Sequence, residues 1–135
     1  MKYTKENLQK YLKDYLIREC PHYLKAEFKS MEYIGDFEFK IFEKIKSKIS
    51  VYNVKLGNGK EAFGTIGGIV PNRPYSNVIP KPDISDPKSA AKYHLYWEGV
   101  NRYRKVFEKG EFREQGGLEF LADILDIPQK MRLKK

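Results

Sequence analysis

The sequence predicts an α+β fold with an N-terminal helix, an antiparallel sheet of three to four strands, a proline-rich crossing loop, a long C-terminal helix and a short terminal helix. Apolar residues recur at helical spacing near both ends of the chain, and they alternate with period two over about residues 24–70. Five of the seven prolines lie between residues 71 and 87. Because 135 residues suffice for one compact core, we expect one domain over 1–135, with a basic tail at about 129–135.

The first helix is expected over about residues 4–19. Thr4 is a suitable N-cap. The apolar residues of one face follow at i, i+3, i+4, i+7 and i+8; they are Leu8, Tyr11, Leu12, Tyr15 and Leu16. Pro21 disfavours helical geometry at the preceding Cys20, so the helix is expected to end there.

Residues 37–52 allow a helix or a strand. The odd positions from 37 to 51 are apolar at six of eight sites, whereas the even positions from 38 to 52 are apolar at two of eight. In a helix Lys40, Lys44 and Lys48 would repel one another at i, i+4 spacing, so the pattern favours a strand. The apolar phase changes after Val51, which predicts a bulge or bend near Asn53.

The later elements are marked by glycine and proline. Residues 57–60, Gly-Asn-Gly-Lys, predict a hairpin between strands at about 50–56 and 61–66. Residues 71–87 should be extended and poor in regular hydrogen bonds, as a crossing over the sheet rather than a recognition segment. Asp86 and Pro87 then predict the start of a helix that runs to about 109, where Gly110 can end it. A short helix should follow near 117–126.

Composition limits the classes of function. The chain carries 26 Lys and Arg against 18 Asp and Glu, a net charge of +8 that favours anionic partners. There is no apolar run of membrane-spanning length, so we expect a cytoplasmic protein without a membrane partner. One cysteine and two histidines are too few for a disulfide or a structural zinc site, and we expect no metal and no cofactor.

The even positions of residues 38–52 predict a binding face. Lysines neutralise phosphates and aromatic rings stack on unpaired bases, and this face combines both kinds of side chain: Lys40, Phe42, Lys44, Lys46, Lys48 and Tyr52. Arg73 and Arg104 are candidate further phosphate contacts. The favoured function is therefore non-catalytic binding of RNA or single-stranded DNA, by a small accessory protein of a phage or mobile element. The competing interpretation is a solvated sheet face whose lysines oppose aggregation.

Two alternative functions remain open. His22 and His94 could act as general base and acid in a metal-independent ribonuclease of the toxin type, with Glu98 one turn after His94. Arg102 could stabilise phosphate charge there, although an exposed helix-surface ion pair with Glu98 is the favoured explanation for it. The basic surface could instead bind an acidic protein, as an inhibitor or immunity-type module does.

Overall fold

A computed structural model of the chain describes residues 4–41, 45–70, 73–81, 84 and 86–133. Its helices are α1 Lys5–Leu24, α2 Pro87–Arg102, α3 Arg104–Phe107, α4 Gly110–Glu114 and α5 Gly117–Ile124, with a 3-10 turn at Gln129–Met131. Its strands are β1 Phe28–Ile41, β2 Ile45–Leu56, β3 Glu61–Gly68 and β4 Tyr75–Pro80. They form an antiparallel sheet in the order β1-β2-β3-β4. The α+β prediction is confirmed.

Both faces of the sheet are covered by helices. On one face α1 buries Leu12, Leu16 and Cys20 against residues of β2, β3 and β4 in an apolar cluster that we call the α1-side cluster. On the other face, α2 and α5 pack over a second apolar cluster, the α2-side cluster, which contains Ile49 and Val51. The sheet is therefore the middle of three layers, and each strand must supply apolar residues to two separate clusters.

This arrangement explains the phase change in β2. Ile49 and Val51 point to the α2 side, whereas the buried residues that follow, Tyr52, Val54 and Leu56, point to the α1 side. The expected bulge near Asn53 is wrong, because β2 pairs with β3 without interruption from residue 48 to residue 55. The register shifts lie in β1 instead, between residues 28 and 30 and between residues 33 and 35.

The strand interpretation of residues 37–52 is confirmed where the structure describes them, but they belong to two strands. Residues 37–41 end β1 and residues 45–52 begin β2, paired in antiparallel register. The hairpin at residues 57–60 is also confirmed. Leu56 N–H donates to the Lys60 carbonyl at 3.0 Å, and Gly59 takes a positive φ of 82° that favours glycine.

The expected end of the first helix is wrong, because α1 continues through Pro21 to Leu24. A proline at this position removes the hydrogen bond to the carbonyl of residue 17. Ile17 and Pro21 both lie on the exposed side of the helix, where water can satisfy that carbonyl. The additional turn lets Leu24 pack against the α1-side cluster, and Lys25 ends the helix in the left-handed region.

The proline-rich stretch is extended as expected, but instead of being poor in regular hydrogen bonds it supplies the fourth strand. Residues 75–80 pair with β3. The internal positions of β4 are free of proline, since Pro74 precedes the strand and Pro80 is its last residue. Prolines at the end of an edge strand disturb no central ladder, so the sheet tolerates them.

The C-terminal helices begin as predicted but break earlier. Asp86 caps α2 by accepting the Ser89 N–H at 2.9 Å, yet α2 ends at Arg102 rather than near residue 109. The chain turns so that Phe107 packs on Gly99, where a Cβ atom would lie 3.3 Å from the Phe107 ring. Gly110 has the expected positive φ, but it opens α4. The short terminal helix is confirmed as α5.

Among the helices that the structure describes, none has both the length and the apolar composition for crossing a bilayer. The C-terminal tail is partly held in place, because Arg132 donates to the Ile127 carbonyl at 2.8 Å and to the carboxylates of Glu119 and Asp123 at 2.7 Å each. The last two lysines of the tail lie outside the described residues.

Candidate nucleic-acid interface

The β1–β2 hairpin extends beyond the rest of the sheet. β3 pairs with β2 only from residue 48 onward, so the cross-strand pairs Phe39 with Ser47, Lys40 with Lys46 and Ile41 with Ile45 have no neighbour from β3. We call residues 37–41 and 45–49 the arm. Its two strands present one face to the α2-side cluster and the other to solvent.

The inner face of the arm anchors it to the core. Ile41 and Ile49 are fully buried, and Phe37 and Phe39 pack partly buried against the same cluster. These residues alternate with the lysines, as the period-two pattern requires. Burial of this face therefore fixes which residues of the arm point outward.

The outer face carries three exposed lysines: Lys40, Lys46 and Lys48. Lys40 lies directly opposite Lys46, a like-charge cross-strand pair that destabilises the hairpin. In the part of the chain that the structure describes, no carboxylate lies within ion-pair distance of either of these two lysines. An anion bound above the arm would relieve their repulsion.

Acidic residues compensate part of this charge. Lys48 Nζ lies 3.4 Å from Asp36 Oδ2, and Glu38 stands opposite Lys48 across the strands. Burial alone would raise the pKa of Asp36, but hydrogen bonds from Ser50 and Tyr33 and the nearby Lys48 outweigh it, so this pKa lies below its ordinary value. Asp36 therefore stays ionised at neutral pH, and Lys40 and Lys46 are the stronger candidates for binding.

Tyr52 does not stand on the open surface, so the prediction of an exposed stacking ring at this position is wrong. The side chain is 2% exposed beneath α1, in the cluster with Leu12 and Leu16. Burial and, less strongly, the Asp36 carboxylate raise the pKa of its hydroxyl. The outer face of β2 passes under α1 at about residue 52, and sequence alternation alone cannot show where a covering helix begins.

The ring of the neighbouring Tyr33 is exposed and contacts Tyr52. It is 40% exposed, contacts Tyr52 edge to face at a centroid distance of 5.4 Å, and has the Lys5 ammonium 3.8 Å from its ring centre. Lys5 therefore occupies one side of this ring. Phe42 and Lys44, the remaining members of the expected face, lie outside the described residues.

Of the two arginines, Arg73 lies nearer to the arm. A Cβ on Gly68, the cross-strand partner of Lys48, would lie 2.9 Å from the Arg73 carbonyl and 3.3 Å from the buried Glu98 carboxylate. The Arg73 backbone therefore lies on the α2 side of the sheet, opposite to the exposed lysines, although its side chain is exposed. Arg104 is exposed on α3 and lies 3.9 Å from Glu108. No contact within the described residues links Arg104 to the arm, so it is not part of the same surface.

The two histidines do not share an open site. His22 is exposed in the last turn of α1 and contacts Tyr23 edge to face. His94 is 0% exposed on α2, on the opposite face of the sheet, with Nδ1 2.7 Å from the Thr65 hydroxyl and Nε2 3.4 Å from Glu98. An imidazole buried in this way cannot reach a phosphate in solution, so the pair of catalytic histidines that the alternative ribonuclease function requires is not formed.

Glu98 and Arg102 also have partners that differ from those expected. Glu98 is fully buried and accepts the Ile69 N–H at 2.9 Å, which holds the chain just after β3. Arg102 turns away from it and donates to the carbonyls of Arg73 and Pro74 at 3.3 and 3.1 Å. The helix-surface ion pair between Glu98 and Arg102 is therefore wrong, because the glutamate points into the core.

Comparisons with family models, curated proteins and solved structures found no match to this chain. Within the described residues, no group of three or more His, Cys, Asp or Glu side chains is placed to hold a metal ion. Among the residues predicted from sequence to form the interface, the structure brings together Lys40, Lys46 and Lys48 on one face. These three lysines define a cationic surface on a projecting two-stranded ribbon, and Arg73 is not part of it.

Proposed function

We propose that this protein binds RNA or single-stranded DNA through the outer face of the arm. The observation that carries the proposal is the exposure of Lys40, Lys46 and Lys48 together on one face of a ribbon that α1 leaves uncovered. Lysines on one face can neutralise successive phosphates and release their counterions. The net charge of +8 favours the encounter with such a polyanion.

Phosphate contacts supply most of the proposed affinity. With Tyr52 buried and Tyr33 covered on one side by Lys5, the arm offers little aromatic surface for stacking. Binding at the arm should then depend strongly on salt and weakly on base sequence. Three lysine contacts to a single strand correspond to a log-log salt slope of about −2.

The test compares two triple variants with the same change in net charge. Lys40→Gln, Lys46→Gln and Lys48→Gln together remove the charge of the arm, whereas Lys13→Gln, Lys105→Gln and Lys109→Gln remove exposed lysines from helices and loops elsewhere. Binding of a labelled unstructured oligonucleotide is measured by fluorescence anisotropy at several salt concentrations.

We expect the arm variant to lose nearly all of the salt slope and the control variant to keep it. Equal losses in both variants would show a general effect of net charge and contradict the proposal. Absence of oligonucleotide binding by the unmodified protein at low salt would refute the proposal directly. Tight binding of a labelled acidic protein in place of the oligonucleotide would favour the inhibitor or immunity-type function.

A further inference from the structure

An aromatic cleft lies at the outer edge of β4, between α1 and α2. Its volume is about 370 Å³, near the lower end of the range for small-ligand pockets. Five aromatic side chains from three separate elements line it: Tyr15, Tyr23, Tyr75, Tyr93 and Trp97. The cleft is distinct from the arm, which lies at the other edge of the sheet.

The cleft is open to a planar ligand. Tyr23 is 61% exposed at its rim, and the Tyr93 and Trp97 rings are tilted at a centroid distance of 6.1 Å. Tyr75 receives a hydrogen bond from the Asn101 amide at 2.8 Å, which holds its hydroxyl in place. Aromatic rings arranged around a cleft of this size provide stacking surfaces for a single flat ring system.

The electrostatics of the cleft favour an anionic ligand. None of the residues that line it is acidic. Arg102 does not itself line the cleft, but its guanidinium lies 5.0 Å from the centre of the Tyr75 ring, which does. Backbone carbonyls of residues 73 and 74 fix this guanidinium. Arg18 lies 5.8 Å from the Tyr15 ring, but it also pairs with Glu19 at 3.1 Å, so Arg102 is the stronger site for a phosphate.

The edge of β4 is poorly suited to the addition of a peptide strand. The Val78 N–H is occupied by the side chain of Asn77, which accepts it through Oδ1 at 2.9 Å. Pro80 has no N–H to donate. Strand addition depends on a row of such donors and acceptors, so the edge of β4 favours a ligand that binds through rings and charge.

We infer that this cleft binds one unpaired nucleobase of a nucleotide, with the base stacked among the tyrosines and Trp97 and the phosphate beside Arg102. Unpaired bases are commonly recognised by aromatic and guanidinium planes together. The inference rests on the proposed function, since it adds a base-binding site to the phosphate-binding arm. It also restores the stacking contribution that the burial of Tyr52 removes from the arm.

Trp97 is the single tryptophan of the sequence, so its fluorescence reports on the cleft alone. The protein is titrated with adenosine and uridine 5′-monophosphates and then with an unstructured oligonucleotide. We expect saturable quenching by the mononucleotides. Tyr23→Ala should weaken their binding about tenfold because it removes one stacking ring, and its exposed position keeps the fold intact.

Arg102→Gln should weaken mononucleotide binding to a similar extent, about tenfold, because a hydrogen bond to a charged group is lost. Arg113→Gln, an exposed arginine on α4, is the matched control and should leave binding unchanged. Circular dichroism checks each variant for folding. Quenching by a proline-rich peptide or an oligosaccharide but not by mononucleotides would overturn the inference, and so would the absence of any saturable response.

The two proposals fail in different ways. If the oligonucleotide binds with the expected salt slope but Trp97 fluorescence does not respond to any nucleotide, the cleft inference is wrong and the proposed function stands. The opposite result is that mononucleotides quench Trp97 equally in the unmodified protein and in the Lys40, Lys46 and Lys48 triple variant, while oligonucleotide binding shows no salt slope. In that case the proposed binding at the arm is wrong and the cleft inference stands.

Discussion

The like-charge pair of Lys40 and Lys46 gives a prediction in which stability and binding change in opposite directions. Lys46→Glu replaces the repulsive cross-strand pair with an attractive one, a swing of about 1 kcal/mol for directly opposed residues. Glu38 lies diagonal to position 46 and opposes part of this gain. After screening by solvent, we expect a net stabilisation of about 0.5 kcal/mol.

For a chain of 135 residues, that stabilisation corresponds to an increase in Tm of about 2 °C. Urea unfolding followed by circular dichroism measures the free energy of unfolding. Lys46→Gln is the control, because it removes the repulsion without adding an attraction and should give about half of the gain.

Oligonucleotide binding should respond in the opposite sense. The loss of one phosphate contact reduces the magnitude of the log-log salt slope by about 0.7, and the new carboxylate repels the strand further. A variant that is more stable and binds more weakly supports the reasoning. A variant that is destabilised, or that binds as tightly as the unmodified protein, would refute the assignment of Lys46 to an open anion-binding face.

Three further predictions concern the fold. Gly67→Ala should destabilise the protein by about 3 kcal/mol in urea unfolding, because φ is +151° and the new Cβ would lie too close to a backbone carbonyl of β2. Gly35→Ala has open space around its Cβ and should be near neutral; similar losses in both would contradict the strain argument. Thr65→Val should cost about 2 kcal/mol by leaving a His94 nitrogen unpaired, while Thr65→Ser should retain most of the stability. Burial raises the pKa of Cys20 to about 11, so its thiol should react slowly with iodoacetamide at pH 8 until urea unfolds the chain; rapid labelling of the native protein would show that the thiol is accessible. The contribution of the buried neutral thiol to the free energy of unfolding should be lost as the pH rises toward 11.

Several helix and strand features could be predicted from the sequence because each depends on residues that are close together along the chain. The Asp86 cap, the glycine hairpin and the alternation through residues 37–52 depend on neighbouring residues only. The prediction of an exposed Tyr52 was wrong because exposure is not a local property. Alternation places Tyr52 on the same face as Lys48, but only the packing of α1 decides which part of that face is covered. The predicted helix end at Pro21 was wrong for a similar reason. The hydrogen bond that this proline removes lies on the exposed side of α1, where water can replace it, so the helix continues.

The aromatic cleft had no signal that the sequence alone could reveal. Its rings come from α1, β4 and α2, which are far apart along the chain and meet only at the edge of β4. Tyr93 and Trp97 lie four residues apart on α2, a helical spacing of aromatic residues that on sequence grounds indicates packing in a core. β4 itself was hidden by the prolines around it, so the surface on which the cleft is built could not be predicted.

The central claim is that the outer face of the arm contacts nucleic acid. The most direct test is a titration of ¹⁵N-labelled protein with an unstructured oligonucleotide, followed by amide chemical shifts. We expect the largest changes at residues 38–40 and 46–48 and none at Lys10 and Lys13 on the outward side of α1. Shift changes that spare the arm, with binding otherwise evident, would contradict the claim.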